Sequence, residues 1–143
     1  MQRSGATLLE LLVTLTLLGI LYGLALPRAR RGLDALRVRS ARESAFGVAM
    51  RVRALAQARG GATLVIDVPA HTISAIDSQG IAAESVHLAA FGVDILADGA
   101  ADRVRLRYDG RGIGRMASRT IRFRKGSVEA GLTFSSFGRV RRW

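Results

Sequence analysis

The chain has 143 residues, of which 49% are hydrophobic and 6% are aromatic, and its formal net charge is +11 at pH 7. Apart from one apolar segment near the N-terminus, this length leaves room for a single small globular domain. The chain contains no cysteine, which excludes disulfides and thiolate metal sites. All but one of its basic residues are arginines, which favour planar, bidentate contacts with phosphate or carboxylate groups.

The N-terminal region consists of a short basic leader, Gly5, and a long apolar stretch that ends at Pro27. Residues 6–26 contain ten leucines and one formal charge, on Glu10. A helix of this length spans about 31 Å, close to the thickness of a bilayer core. Because a lone carboxylate in lipid costs about 2.5–3.5 kcal/mol, we expect Glu10 to have a partner or a function.

Gly5 and the run Ala6-Thr-Leu-Leu-Glu10 resemble the class III signal of type IV pilins and type II secretion pseudopilins. In that family a prepilin peptidase cuts after the glycine and methylates the new N-terminus, here Ala6. The resemblance implies that Glu10, as the fifth mature residue, registers subunits during assembly. It also implies a leader peptide at 1–5 and a transmembrane and filament helix at 6–27. Ala6 departs from the Phe or Met usual at this position.

A secretory signal and a plain membrane anchor are the alternatives for this segment. The apolar run is too long for a secretory signal, and no A-x-A-like cleavage site follows it. A plain anchor has no need for Glu10. The arginines after Pro27 favour the opposite orientation by the positive-inside rule, so the expected periplasmic position of the globular domain follows from the motif.

Residues 28–60 are predicted to continue the helix as an amphipathic segment. Pro27 is expected to bend or locally melt the helix because it lacks an N–H group, and Gly60-Gly61 favour its end. The apolar stripe expected to pack on a sheet is Leu33, Leu36, Ala41, Ala45, Val48, Val52 and Leu55.

From Gly61 onwards the residues alternate as in β-strands. Within 103–108, Val104, Leu106 and Tyr108 are expected to face inward and the arginines outward. A Gly-rich loop, which we interpret as mobile, is predicted at 109–118. The predicted strands are 62–68, 71–77, 85–90, 93–96, 103–108, 120–124, 128–135 and 137–143. A long helix packed on an antiparallel sheet predicts an α+β domain with its β-rich part at 61–143.

The charges fall into three segments along the chain. Residues 28–59 carry a net charge of +7, residues 60–102 carry −6, and residues 103–143 carry +10. One interpretation is that the acidic and basic segments pair within the fold or between subunits; the other is a basic face for a polyanion. Two arginine stripes merge into one basic surface if their strands pair: Arg103, Arg105 and Arg107, and Arg122 and Arg124.

The C-terminal run Gly138-Arg-Val-Arg-Arg142 resembles the G-R-x-R motif of FimT-type minor pilins, which binds DNA during natural transformation. Together with 105–110, 120–124 and 132–141, it is similar to the GspH/FimT branch of minor pilins and pseudopilins. In a strand, Arg139 and Arg141 lie on one face about 6–7 Å apart, near the spacing of phosphates along one DNA strand. Arg142 is expected on the other face.

The aromatic residues near this motif are predicted to occupy different positions. Trp143 is expected either to stack on a base or to close the core. Phe134 and Phe137 are expected in the core. In the Gly-rich loop and the residues after it, Arg111, Arg115 and Arg119 are further candidates for phosphate contact.

We expect no enzyme, no cofactor and no metal site. His71 and His87 have no ligand partners at metal spacing, and no Ser-His-Asp or paired-carboxylate arrangement is present in the sequence. Gly110-x-Gly112-x-Gly114 lacks the spacing and the setting of a dinucleotide fingerprint.

The resemblance implies a minor type IV pilin that inserts in the inner membrane, joins a pilus with other pilins and binds double-stranded DNA through Arg139, Arg141 and Arg142. Three alternatives stay open: a minor pseudopilin of type II secretion, a structural initiator of pilus assembly without a ligand, and a basic domain that contacts anionic lipid headgroups.

Overall fold

A computed structural model of the chain describes residues 7–115 and 117–143. It divides into an N-terminal unit that ends at Leu33 and a globular unit from Asp34 to Trp143. Helix α1 runs from Leu8 to Arg59 and contains Pro27. It is continuous at Pro27, so the local melting expected there is not present.

The described part of the N-terminal unit is mainly the first part of α1, which is apolar as far as Pro27. Its residues from Leu8 to Leu33 are exposed, including all the leucines. By length and composition alone, the helix can cross a membrane. Exposed leucines in such number are costly in water, which agrees with a segment whose natural surroundings are lipid or neighbouring helices.

In the globular unit, one stripe of α1 is buried, and it starts later than the sequence predicts. Leu33 and Leu36 are exposed, and Leu55 is only partly buried. The buried helix residues are Val38, Ala41, Ala45, Val48, Ala49, Val52 and Ala56. Recurrence every three to four residues places them on one face, as the predicted amphipathic pattern requires.

In the described ranges, eight strands follow the helix and form two antiparallel sheets. They are β1 (Gly61–Asp67), β2 (Thr72–Asp77), β3 (Ala82–His87), β4 (Asp94–Ala97), β5 (Arg103–Asp109), β6 (Arg119–Lys125), β7 (Val128–Phe134) and β8 (Val140–Arg142). The first sheet has the order β3-β2-β1-β5, and the second has the order β4-β6-β7-β8. The predicted strands correspond to these within a few residues, and the α+β class is confirmed.

The inner faces of both sheets form one core with the helix stripe. Leu64, Leu106, Phe123 and Phe134 are each no more than 1% exposed. Along β5, the apolar residues are buried and the three arginines are exposed, as the alternation predicts. The core therefore belongs entirely to the globular unit.

The two arginine stripes do not merge into one basic surface, because β5 and β6, whose pairing is the condition for it, are not paired. β5 is at an edge of the first sheet beside β1, whereas β6 is inside the second sheet between β4 and β7. Arg105 and Arg107 therefore lie on a different sheet from Arg122 and Arg124. The long Gly-rich loop between the two strands makes this change of sheet feasible.

Candidate nucleic-acid interface

The C-terminal motif lies on a tight hairpin between β7 and β8. The Ser135 N–H donates to the Arg139 carbonyl, and the Gly138 N–H donates to the Ser135 carbonyl, both at 2.9 Å. Gly138 has φ = +81°, in the left-handed region that favours glycine. A three-residue hairpin loop with glycine at this position is a common connection, and it directs β8 back along β7.

The register of β8 decides which way each motif residue faces. Val140 pairs with the buried Phe134, whereas Arg141 pairs with Thr133 on the outer face. Because directly opposed residues of an antiparallel pair share a face, Arg141 lies on the outer face of the second sheet. Arg139 precedes it by two residues and is also exposed. The predicted placement of both arginines on one face therefore agrees with the strand register.

Arg142 lies on the opposite face, as predicted, and is bound within the chain. Its Nη1 donates to Oε2 of Glu43 on α1 at 2.9 Å, and its guanidinium is 4.5 Å from the centre of the Phe46 ring. Arg42 also pairs with Glu43, and it is the main reason why the pKa of that carboxyl is lowered, with Arg142 contributing. Arg142 thus fastens β8 to the helix.

Trp143 covers the outer face of the second sheet instead of closing the core. Its main chain exchanges hydrogen bonds with Gly131 at 3.0 and 3.1 Å, and its indole N–H donates to Thr133 Oγ1 at 3.2 Å. A Cβ at Gly131 would come within 2.5 Å of the indole, so the ring lies directly on the glycine backbone. The ring is 50% exposed, and it lies on the same outer face as Arg141.

The Gly-rich loop is held in place at its start by Asp109. The Asp109 carboxylate accepts the main-chain N–H groups of Arg111 and Ile113, each at 2.9 Å. The bond from Ile113 is the main cause of the lowered pKa of Asp109. Gln57 of α1 donates to the Arg111 carbonyl at 3.2 Å. These contacts hold the start of the loop in place, although its glycine content predicts a mobile loop.

Further along, the same loop is fastened to the C-terminal hairpin. The Gly114 N–H donates to the Phe137 carbonyl, and the Arg115 N–H donates to the Arg107 carbonyl, both at 3.0 Å. Gly138 lies so close to Tyr108 and Gly114 that a Cβ there would be 2.6 and 2.8 Å from their atoms. The structure therefore brings the loop that carries Arg111 and Arg115 against the hairpin that carries Arg139.

Arg119 belongs to the same end of the second sheet. It starts β6 opposite Phe134, which in turn pairs with Val140 of β8. Neighbouring strands are about 4.8 Å apart, so the Cα of Arg119 is about 10 Å from that of Val140. Its side chain is exposed, but the register places it on the face of Phe134 and not on the outer face that carries Arg141.

One of the two core expectations near the motif is wrong. Phe134 is 1% exposed, but Phe137 is 76% exposed. Phe137 is at the tip of the hairpin, where strand alternation no longer determines which side chains point inward. Its carbonyl oxygen accepts the Gly114 N–H, while its ring is exposed on the surface.

Most acidic residues of the middle segment pair with arginines of the flanking segments. The ion pairs are Arg103 with Asp67, Arg59 with Asp77, Arg51 with Glu84, and Arg122 with Asp98. Pairing within the fold therefore accounts for part of the charge pattern. In the part of the chain that the structure describes, no carboxylate is within 4 Å of the guanidinium groups of these arginines: Arg105, Arg107, Arg111, Arg119, Arg124, Arg139 and Arg141.

The other candidate site is at the start of α1. The Glu10 N–H donates to Thr7 Oγ1 at 3.2 Å, so Thr7 caps the helix and Glu10 occupies its first turn. A carboxylate there interacts favourably with the helix dipole, a local role that the T-x-x-E spacing could have indicated. The predicted cleavage and methylation positions, Gly5 and Ala6, lie outside the described residues.

The fold is similar to that of a known minor pilin. Two crystal forms of the Pseudomonas aeruginosa (strain PAO1) type IV minor pilin FimU match this chain. One has a TM-score of 0.60 and 15% sequence identity and covers 74% of this chain and 87% of the FimU chain. The other has a TM-score of 0.58 and 16% identity and covers 73% and 91%.

No protein-family model matches the chain, and no curated protein matches it in sequence. The structural likeness and the long exposed apolar helix point in the same direction as the N-terminal motif. The chain has the fold of a minor type IV pilin, in which a long N-terminal helix packs on antiparallel sheets.

Proposed function

We propose that this chain is a minor type IV pilin of the GspH/FimT type that binds extracellular double-stranded DNA, without sequence preference, for uptake in natural transformation. The observation that carries the proposal is the position of Arg139 and Arg141. Both are exposed on the outer face of the second sheet at the spacing of neighbouring phosphates, about 6–7 Å. Neither has a carboxylate within 4 Å in the described ranges. Contacts of this kind recognise the DNA backbone and not its sequence.

The proposed assembly route uses the N-terminal segment. A prepilin peptidase cleaves between Gly5 and Ala6 and methylates Ala6, and the helix anchors the subunit in the inner membrane with its globular domain in the periplasm. Glu10 then pairs with the N-terminal amine of a neighbouring pilin. Support comes from its exposure and from the capping by Thr7, which uses the Glu10 N–H and not its carboxylate.

The proposed DNA site has a centre and a periphery. Arg139 and Arg141 form the centre, and Arg111, Arg115 and Arg119 add positive charge around it. Arg142 contributes mainly by holding β8 on α1, because Glu43 and Phe46 engage its guanidinium. We expect a single subunit to bind weakly and several copies in a pilus to bind more tightly through effective concentration.

The experiment compares assembly with DNA capture. Cells produce the wild-type chain, Arg139→Glu/Arg141→Glu, or the control Arg37→Glu/Arg39→Glu, which makes the same charge change on exposed residues of α1. Pili are counted and isolated, and their capture of labelled duplex DNA is measured. The proposal predicts normal pili that lose DNA only in the Arg139/Arg141 variant.

Other results identify the alternatives. If the Arg139/Arg141 variant lacks pili, these arginines contact neighbouring subunits and the chain is a structural initiator of assembly. If the chain supports protein secretion and not pili, it is a pseudopilin of a type II secretion system. Normal DNA capture by the variant contradicts the proposed site.

A further inference from the structure

The outer face of the first sheet contains a concavity of which the proposed function uses only Arg115. Its volume is about 630 Å³, within the usual range for ligand sites. Arg105 and Arg107 of β5 and Arg115 of the following loop line it on one side. Uncharged residues of β1, including Thr63 and Val65, line the other side.

Arg105 and Arg107 differ from their neighbour Arg103, which forms an ion pair with a carboxylate on the adjacent strand. Arg103 is opposite Asp67 on β1 and pairs with it. Arg105 is opposite Val65, and Arg107 is opposite Thr63. In the described ranges, no carboxylate is within 4 Å of the guanidinium of Arg105 or Arg107. Both are exposed, so their donors face solvent at the concavity.

Two carboxylates also line the concavity, and both are already engaged. Asp77 pairs with Arg59 at 2.6 Å and accepts the N–H groups of Gln79 and Ile81 at 2.9 Å each. Asp109 accepts two N–H groups of its own loop. Arg115 is 4.0 Å from Asp109 and 81% exposed, so this pair is loose. Because Asp77 is paired with Arg59, the three arginines of the lining face only the charge of Asp109, and an anion entering the concavity meets a net positive surface.

From this arrangement we infer that the Arg105–Arg107 concavity binds the phosphodiester backbone of a DNA strand. Alternate residues of one strand place the two guanidinium groups about 6–7 Å apart, as in the C-terminal pair. Arginine suits bidentate contact with phosphate. The one aromatic residue in the lining, Tyr108, is buried, which leaves no ring for a base to stack on. The ligand is therefore the backbone and not the bases.

The concavity is connected to the C-terminal site by main-chain bonds. The Arg115 N–H donates to the Arg107 carbonyl. The Gly114 N–H donates to the carbonyl of Phe137, in the hairpin that carries Arg139. The inferred footprint of one DNA duplex runs from Arg139 and Arg141 over this loop to Arg105 and Arg107. The inference rests on the proposed function and extends its DNA footprint from the second sheet to the first.

The test maps which arginines DNA protects. The full chain in uncharged detergent is treated with an arginine-specific dicarbonyl reagent, with and without a short DNA duplex, and modification is located by mass spectrometry. In parallel, binding of the duplex is measured over a salt series for the wild type, Arg105→Glu/Arg107→Glu and Arg37→Glu/Arg39→Glu. Vesicles of phosphatidylglycerol and phosphatidylcholine replace DNA in a third arm.

The inference predicts that DNA protects Arg105 and Arg107 from modification. It also predicts that charge reversal at both residues weakens DNA binding roughly tenfold and lowers the slope of log affinity against log salt concentration by about 2.

Protection of Arg139 and Arg141 alone, with unchanged affinity in the Arg105/Arg107 variant, overturns the inference and leaves the proposed function intact. Absence of any DNA binding overturns both. Protection by anionic vesicles and not by DNA assigns the concavity to lipid headgroups and also overturns the inference. Footprinting of the wild type decides the matter even if a variant fails to fold.

Discussion

The main-chain N–H of Gly114 donates to the carbonyl oxygen of Phe137 at 3.0 Å. This bond joins the Gly-rich loop after β5 to the hairpin between β7 and β8, although the strands belong to different sheets. The backbones approach this closely because Gly138, next to Phe137, has no side chain to collide with Gly114. The arrangement of the candidate DNA site thus depends on glycines that are far apart in the sequence.

Replacing Gly138 by alanine should weaken both the fold and the DNA site. The new Cβ would be 2.6 Å from Tyr108 and 2.8 Å from Gly114, at a φ of +81°. We expect a loss of about 1–3 kcal/mol in the free energy of unfolding, measured by urea denaturation. DNA affinity should fall as well, because the loop separates from the hairpin.

Gly80→Ala is the matched control for this change. Gly80 has a similar φ of +84°, but a Cβ there would have no atom within 4 Å. It therefore measures backbone strain without collision. Equal losses of stability in the two variants would show that the contact of Gly138 with Gly114 and Tyr108 has no energetic role.

The two phenylalanines near the hairpin should respond very differently to truncation. Phe134 is 1% exposed, and Phe134→Ala should cost about 3–5 kcal/mol because it removes a ring from the core. Phe137 is 76% exposed, and Phe137→Ala should change stability by no more than about 0.5 kcal/mol. Thermal unfolding of both variants checks this, and a large loss for Phe137→Ala would contradict its position at the hairpin tip.

Trp143 should report DNA binding directly. It is the one tryptophan of the chain, it is half-exposed, and it follows Arg141 by two residues. We expect its fluorescence to change in intensity or wavelength when duplex DNA is added, and not to change in Arg139→Glu/Arg141→Glu. An unchanged signal during saturable DNA binding would place the DNA away from β8.

Acid should destabilise the globular unit through its paired aspartates. The pKa values of Asp67, Asp77 and Asp109 are lowered, mainly by Arg103, by the Ile81 N–H and by the Ile113 N–H respectively. Since their folded pKa values lie below the unfolded value of about 3.9, they stabilise the fold above that pH. This contribution is lost as the pH falls through the folded pKa values.

The measurement for this prediction is urea unfolding over a pH series. Asp77→Asn should lower stability at neutral pH and reduce the loss of stability in acid. Asp94→Asn, at an exposed position that starts β4, serves as the control and should leave both unchanged. A wild-type stability that is constant from neutral pH to below the unfolded pKa would contradict the prediction.

The strands could be predicted from the sequence because their in–out alternation is local. Val104, Leu106 and Tyr108 are buried between exposed arginines, as a period of two requires. Which strands pair could not be predicted in the same way. The separation of β5 and β6 into two sheets depends on long-range pairings, of β5 with β1 and of β6 with β4.

The candidate site shows the same division. The opposite faces of Arg141 and Arg142 follow from alternation along β8. The pairing of Arg142 with Glu43 does not, because the helix contributes the carboxylate from a distant part of the sequence. An aromatic residue type favours a core position for Phe137, but a hairpin tip has no buried face.

The most direct test of a DNA-binding pilin measures duplex binding by the purified full chain in uncharged detergent over a salt series. Wild type, Arg139→Glu/Arg141→Glu and Arg37→Glu/Arg39→Glu are compared. We predict salt-sensitive, sequence-independent binding that the Arg139/Arg141 reversal abolishes and the control reversal largely retains. If the wild type does not bind at low salt and high protein concentration, or if both reversals weaken binding equally, Arg139 and Arg141 do not form a DNA site.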